Sequence, residues 1–168
     1  MGKVQNLFGN GAPGAVTRSA DEIIISLDEI KANFEGKTVM VTGAAGSIGS
    51  ELVRQLASFG VKKLVLFDNA ETPMHNLRLE LEDKFNGLDF VPIIGDVRQN
   101  QRLKFAFESH HPQVVFHAAA YKHVPLMEEN PCEAVLVNVY GSRNVADMCL
   151  KYGVEKMVMI STDKAVNP

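Results

Sequence analysis

The segment Thr42-Gly43-Ala44-Ala45-Gly46-Ser47-Ile48-Gly49 places three glycines at a spacing suited to holding phosphate. Gly43 permits a tight turn, Gly46 lets backbone N–H groups approach an anion with no Cβ in the way, and Gly49 lets a following helix lie close to a preceding strand. Such a triplet has meaning only between a strand and a helix. Both flanks fit, since Thr38-Val39-Met40-Val41-Thr42 is a β-branched run, and Ile48, Leu52, Leu56 and Phe59 share one helical face. Ala45, Ser47 and Ile48 then belong to the entry of that helix, whose unsatisfied N–H groups favour negative charge. The predicted ligand is the pyrophosphate of a dinucleotide, bound by Gly43, Ala45, Gly46, Ser47, Ile48 and Gly49.

Other candidate groups fall at the ends of apolar runs. Asp68 follows Lys63-Leu64-Val65-Leu66-Phe67, where a carboxylate accepts hydrogen bonds from an adenosine ribose. Its charge repels a 2′-phosphate and neither Asn69 nor Ala70 supplies an offsetting cation, so NAD is expected ahead of NADP as the cofactor. Asp96 and Val97 follow Phe90-Val91-Pro92-Ile93-Ile94, and Asp96 is placed to accept from the adenine amino group. After Val114-Val115-Phe116 comes His117-Ala118-Ala119-Ala120, and the small side chains of Ala118, Ala119 and Ala120 let backbone lie against a flat cofactor. Thr162, Asp163 and Lys164 follow Met157-Val158-Met159-Ile160, while Lys122 and His123 follow the fourth run. In open α/β sheets ligands bind outside the carboxyl ends of strands, which is where both groups fall. His75, His110, His111 and His117 have no metal-ligand spacing with Cys132 or Cys149, and no metal is expected.

These groups need a scaffold, and the alternation of five short apolar runs with helical patterns predicts βαβ units on a parallel sheet covered on both faces. Pro92 puts the third strand at an edge. With right-handed crossovers this gives an α/β fold, a doubly wound Rossmann sheet of strand order 3-2-1-4-5. Met74, Leu77, Leu81 and Phe85 predict a helix opened by Thr72-Pro73, Leu103 and Phe107 a weaker one, and Asn130-Pro131 the start of a helix reaching about Tyr152. Residues 1–35 read as a linker or N-terminal arm. They are glycine-rich from Gly9 to Ala15, followed by a short helix with a Ser26/Glu29 capping box and an apolar face of Leu27, Ile30 and Phe34. The domain itself is expected over residues 36–168.

The chain has 168 residues, of which 46% are hydrophobic, enough for one domain with a sizeable core. A net charge of −3 without a Lys/Arg run argues against nucleic acid as a partner. Cys132 and Cys149 fall in one predicted helix about 25 Å apart, too far for a disulfide. The opening residues lack the order of a signal peptide, and no apolar run approaches the roughly 20 residues that span a bilayer. The expected location is cytoplasmic.

The glycine spacing, the stretch His117-Ala118-Ala119-Ala120-Tyr121-Lys122-His123-Val124-Pro125-Leu126-Met127-Glu128, Asn138-Val139-Tyr140-Gly141, and Ser161-Thr162-Asp163-Lys164-Ala165-Val166-Asn167-Pro168 together resemble the extended short-chain dehydrogenase/reductases of polysaccharide biosynthesis. More narrowly, the chain is similar to the UDP-N-acetylglucosamine 4,6-dehydratases of bacterial capsule, O-antigen and glycan assembly. The resemblance covers Gly36 to the last residue. It implies a UDP-sugar substrate whose C4 is oxidised by hydride transfer to NAD⁺. Lys164 then removes the C5 proton, Asp163 protonates the departing C6 hydroxyl, and the hydride returns to C6. Thr162 is implied to hydrogen-bond the C4 oxygen, and Lys122 and His123 to face the substrate. Glucose-nucleotide dehydratases carry glutamate at the position of Lys164; a lysine base must first lose a proton whose reference pKa is about 10.4.

Members of that group also have a Tyr- or Met-containing motif with a lysine, and a sugar-nucleotide lobe, after the position of Pro168. The chain is therefore expected to be a fragment truncated after its fifth strand, inactive alone and prone to self-association as a homo-oligomer. Val4-Gln5-Asn6-Leu7-Phe8-Gly9-Asn10 resembles the linker of longer, membrane-anchored members, which implies an anchored parent. Two rival readings are an epimerase or reductase of the same superfamily and a non-catalytic NAD(P)-sensing domain.

Overall fold

The structure, a computed structural model, describes residues 30–161. The expected catalytic group Thr162, Asp163 and Lys164 lies outside the described residues, as do Ser26 and Glu29 of the expected capping box and Leu27 of the apolar face that follows it.

Five strands, β1 (Thr38–Thr42), β2 (Lys63–Asp68), β3 (Phe90–Ile94), β4 (Val114–His117) and β5 (Lys156–Met159), form one parallel sheet in the order β3-β2-β1-β4-β5. The central strand β1 is buried along its whole length, as a strand covered on both faces must be. Because side chains alternate across a strand, Val39 and Val41 of β1 join Leu64 and Leu66 of β2 on one face, while Met40, Val65 and Phe67 face the other. The first face is covered by α1 (Ser47–Ala57) and α2 (Glu71–Lys84), through Leu52, Val53, Leu56, Met74, Leu77 and Leu81. The second is covered by α3 (Asn100–His110), through Leu103, Ala106 and Phe107. Phe34, from the helical residues 30–34, packs on the first cluster with its ring 5.6 Å from that of Phe116. β3 lies at the edge that Pro92 predicts and, among the described residues, pairs with β2 alone.

Two boundaries differ from the sequence expectation. α2 starts at Glu71, ahead of Thr72-Pro73, because Asp68 accepts the Ala70 N–H at 2.9 Å and Ala70 already receives the Met74 N–H. Proline lacks a donor that no residue of the first turn uses within the helix, so it marks that turn without fixing its first residue. The helix expected from Asn130-Pro131 to Tyr152 is also not uniform. After a short α4 (Val124–Glu129), α5 (Pro131–Ala134) runs into a π-helical segment (Val135–Gly141) and then α6 (Ser142–Lys151). Val145 and Cys149 of α6 complete the second core cluster. Cys132 is exposed and Cys149 buried, and both are free thiols. Among the described residues, no helix is long and apolar enough to cross a membrane.

Candidate functional site

The carboxyl ends of β1, β2, β3 and β4 surround a cavity of about 320 Å³, within the range of ligand sites. Its floor begins at the β1–α1 turn. Gly43 has φ +70°, a conformation that other residues rarely adopt, and its N–H donates to Phe67 O at 2.8 Å. A Cβ there would lie 2.5 Å from Ala119 N and 2.6 Å from the Ala118 carbonyl carbon, so two stretches of backbone meet with no room for a side chain. Gly49 is constrained from the other side, since a Cβ on it would stand 1.9 Å from Gly43 O.

Gly46 is different. A Cβ there meets only Gly43 O at 3.3 Å, so the protein's own packing leaves space beside it, and Gly46 lines the cavity. It is also the N-cap of α1, with no capping side chain and no acidic residue in the first turn. An uncapped helix start beside an open, Cβ-free position suits the binding of an anion such as pyrophosphate.

Asp68 closes the next side. Its Oδ2 accepts the Ala45 N–H at 2.9 Å and its Oδ1 the Ala70 N–H at 2.9 Å, which ties the end of β2 to the glycine turn. Each carboxylate oxygen retains acceptor capacity toward the cavity that Asp68 lines. Asp96 also lines the cavity, but Arg98 makes four donor contacts to its carboxylate, from the backbone N–H, twice from Nε, and from Nη2 at 2.7 Å. That guanidinium holds the Asp96 carboxyl below the usual range. Arg98 also donates to Glu133 at 2.7 Å, bracing the β3–α3 loop against α5.

Of the sequence-predicted cofactor residues, Gly43, Ala45, Gly46, Asp68, Asp96, Val97, Ala118, Ala119 and Ala120 line this one cavity. Gly49 lies beneath the turn, and Ser47 and Ile48 begin α1 outside the lining, with Ile48 46% exposed. Lys122 and His123 are exposed on the loop beyond Tyr121 and do not line the cavity. Among the described residues, no group of three His, Cys, Asp or Glu comes together to hold a metal.

Sequence reasoning missed several wall residues, including Asn69, Gly95, Tyr121 and Val137. It also missed what positions Val97. Gly141 approaches so closely that a Cβ would be 2.6 Å from a Val97 methyl, and buried Asn144 donates to Val97 O at 3.0 Å. His117 was legible only as the residue before three alanines. Its Nδ1 lies 2.6 Å from Thr42 Oγ1 and its Nε2 2.8 Å from Ser142 Oγ, and burial pushes its pKa down to about 4.

A doubly wound parallel sheet with a glycine turn and an uncapped helix start at the crevice where its strand order reverses is a Rossmann domain of the dinucleotide-binding type. Residues 39–168 match the family described as polysaccharide biosynthesis protein, and the chain belongs to that family. It is 44% identical over 149 residues to the capsular polysaccharide biosynthesis protein CapD of Staphylococcus aureus, spanning 88% of this chain and 25% of that protein. It is 38% identical over 136 residues to a UDP-N-acetylglucosamine 4,6-dehydratase (inverting) of Campylobacter jejuni, spanning 80% of this chain and 39% of the dehydratase. The crystal structure of Thermus thermophilus UDP-glucose 4-epimerase in complex with NAD is similar with a TM-score of 0.62 at 34% identity, over 74% of this chain and 37% of that one. The chain thus spans between 25% and 39% of the length of these proteins.

Gly49→Ala is expected to destabilise the fold by about 3 kcal/mol or more, because its Cβ would meet backbone that cannot give way. Gly46→Ala, which meets one oxygen at the edge of contact, is expected to stay within about 1 kcal/mol. Urea unfolding of both variants checks the pair. For His117 the folded pKa lies below the unfolded value, so the unfolded chain binds more protons between these two values and stability falls as pH drops from 6.5 toward 4. The loss is expected to reach about 2 to 3 kcal/mol. His110, also lowered mainly by burial, acts in the same direction, whereas Glu80, held down to about 2 chiefly by Arg54, acts below pH 4.5. Urea unfolding from pH 7 to 4.5 should therefore show a shallower pH dependence in His117→Gln than in the parent.

Proposed function

We propose that the chain is the NAD-binding portion of a nucleotide-sugar 4,6-dehydratase that acts on UDP-N-acetylglucosamine in bacterial capsule, O-antigen or glycan assembly. The observation that carries this reading is the convergence in one cavity of the Cβ-free Gly46, the uncapped start of α1 and the Asp68 carboxylate. Pyrophosphate fits the first two, and the hydroxyls of an adenosine ribose fit the third. The similar Thermus thermophilus epimerase, solved with NAD, supports the choice of ligand. The Asp68 charge favours NAD over NADP, and among the cavity's lining residues no Lys or Arg offsets it. Ala118, Ala119 and Ala120 provide a wall of small side chains for the flat parts of the cofactor. Asp96, already engaged by Arg98, would have to share its acceptors to reach an adenine amino group.

Bound NAD supplies reversible hydride exchange with the sugar. The protein's part, on this proposal, is proton handling and orientation. Thr162 hydrogen-bonds the C4 oxygen, Lys164 takes the C5 proton, Asp163 delivers a proton to the leaving C6 hydroxyl, and Lys122 and His123 contact the substrate from the exposed loop after β4. The 38% identity to the Campylobacter jejuni dehydratase favours this chemistry. The likeness to an epimerase favours a second reading in which C4 alone reacts, and that reaction has no use for an elimination acid and base.

Calorimetric titration of the 168-residue chain with NAD⁺ tests the cofactor assignment. Asp68→Ala is expected to weaken binding about tenfold and to narrow the preference over NADP, since one charge-assisted acceptor and the repelling charge are both removed. An absence of NAD⁺ binding to the parent chain, or an unchanged NAD/NADP ratio in the variant, overturns the assignment. For the reaction itself, the 168-residue chain incubated with UDP-N-acetylglucosamine and NAD⁺ is expected to give no product lighter by one water. Substrate positioning, worth about 7 to 11 kcal/mol of barrier, is assigned to parts that the longer dehydratase relative would add. Extended to that relative's length, the protein is expected to form the product and to lose it in Lys164→Ala with NAD⁺ still bound, as followed by mass spectrometry.

A further inference from the structure

His117 is only 2% exposed and has no part in the proton transfers proposed above, yet it stands on β4 where β1 and the junction of the π-helical segment with α6 meet. The direction of its hydrogen bonds can be worked out from its neighbours. The Ser142 hydroxyl donates its single hydrogen to Asn138 O at 2.7 Å, so toward His117 Nε2, 2.8 Å away, it can only accept. Nε2 therefore carries the imidazole proton. Nδ1 is left as an acceptor, and the Thr42 hydroxyl at 2.6 Å donates to it. The path runs in one direction, from Thr42 through His117 and Ser142 to the Asn138 carbonyl.

Asn138 continues it outward. Its side-chain amide donates to Tyr121 O at 2.9 Å and accepts from Tyr121 N–H at 2.8 Å, satisfying both backbone groups of a residue that belongs to no helix or strand. Tyr121 lines the cavity, at the end of the wall begun by Ala118. The π-helical segment makes the link feasible. In a regular α-helix Asn138 O would take the Ser142 N–H, but here that N–H donates to Val139 O and the hydroxyl takes Asn138 O. A polar path through a core is stabilising only when complete, and no buried side-chain donor or acceptor among the described residues lacks a partner.

We propose that His117 is a positioning residue, a neutral Nε2-protonated imidazole that holds Asn138 through Ser142 and thereby fixes the backbone of Tyr121 and the cavity wall from Ala118 to Tyr121. The proposal rests on the NAD reading only for the identity of the ligand that this wall meets.

The test uses the full 168-residue chain. Nitrogen-15 NMR of the His117 ring at neutral pH should show protonation at Nε2 alone. Hydrogen exchange at the Tyr121 amide, measured without ligand, should be about tenfold faster in Ser142→Ala, the expected loss of about one net hydrogen bond, while core amides such as that of Val65 keep their protection. Ser142→Thr, which restores the hydroxyl, should return the parent rate, a rescue that loss of bulk would not give. NAD⁺ affinity should follow the same order, weaker in Ser142→Ala and recovered in Ser142→Thr. Protonation at Nδ1, or an unchanged Tyr121 exchange rate in Ser142→Ala, overturns the proposal even when NAD⁺ binds the parent normally. If the parent binds no NAD⁺ while the exchange rates change as expected, the cofactor reading falls and the positioning role stands.

Discussion

At the Gly43 turn, main chain packs on main chain. Gly43 touches the Ala118–Ala119 backbone on one side and Gly49 on the other, with gaps that would not admit a methyl group. Nearly everything else in the cavity is positioned relative to that contact. It brings the first turn of α1 to the end of β1, sets β4's continuation beside it, and leaves the cavity bounded by backbone and alanines where side chains would otherwise fill it. The close approach depends on the sheet beneath being fixed in register. The parallel pairings of β1 with β2 and β4, buried on both faces, supply that register.

Around this contact, the polar groups act first as struts. Asp68 ties β2 to the glycine turn and to the start of α2, Arg98 ties Asp96 to α5 through Glu133, and Asn144 ties α6 to Val97. The bonds Asp68–Ala45, Arg98–Glu133 and Asn144–Val97 each join the carboxyl end of a strand or the loop after it to another part of the chain, so long-range contacts help set the cavity's walls. Asp68 shows how one residue serves two ends. The same carboxylate that braces backbone N–H groups keeps spare acceptors on the cavity side, which is where the proposed ribose would lie.

How much of this the sequence discloses follows from which interactions are local. The strands and their order are legible because burial on both faces produces continuous apolar runs and because Pro92 marks an edge. The glycine turn is legible because strand, triplet and helix adjoin in sequence. α2 starts two residues ahead of Pro73 because the residue that engages Ala70 is Asp68, at the end of a strand, and no capping side chain at the helix entry marks the start. The π-helical segment left no periodicity to read, since Val135–Gly141 is apolar enough to pass as ordinary helix. Thr42 and Ser142 become one network only through the fold, each bonded to His117, distant from both in sequence, with Ser142 passing the path on to Asn138, and no local pattern announces such a set.

The same distinction explains how the cavity divides its labour. Its glycine end is built from local sequence, with α1 entered through glycines, uncapped, and free of acidic residues in its first turn, so the helix field there is unopposed. Its other walls are non-local and carry carboxylates, yet Asp96 is neutralised by Arg98, and Asp68 has its charge partly met by two backbone donors. A ligand with a doubly charged anionic centre and hydroxyl-bearing flanks free of further phosphate matches that pattern, whereas one carrying a further phosphate beside Asp68 would meet a carboxylate with no cation among the cavity's lining residues to offset it. The charge arrangement thus suits the proposed dinucleotide at a level coarser than any single contact. It follows from where the chain places its few ionised groups, and the neutral state of His117 between β1 and α6 belongs to the same economy, since a buried imidazolium there would set a positive charge near the cavity wall with no carboxylate among its two hydrogen-bond partners.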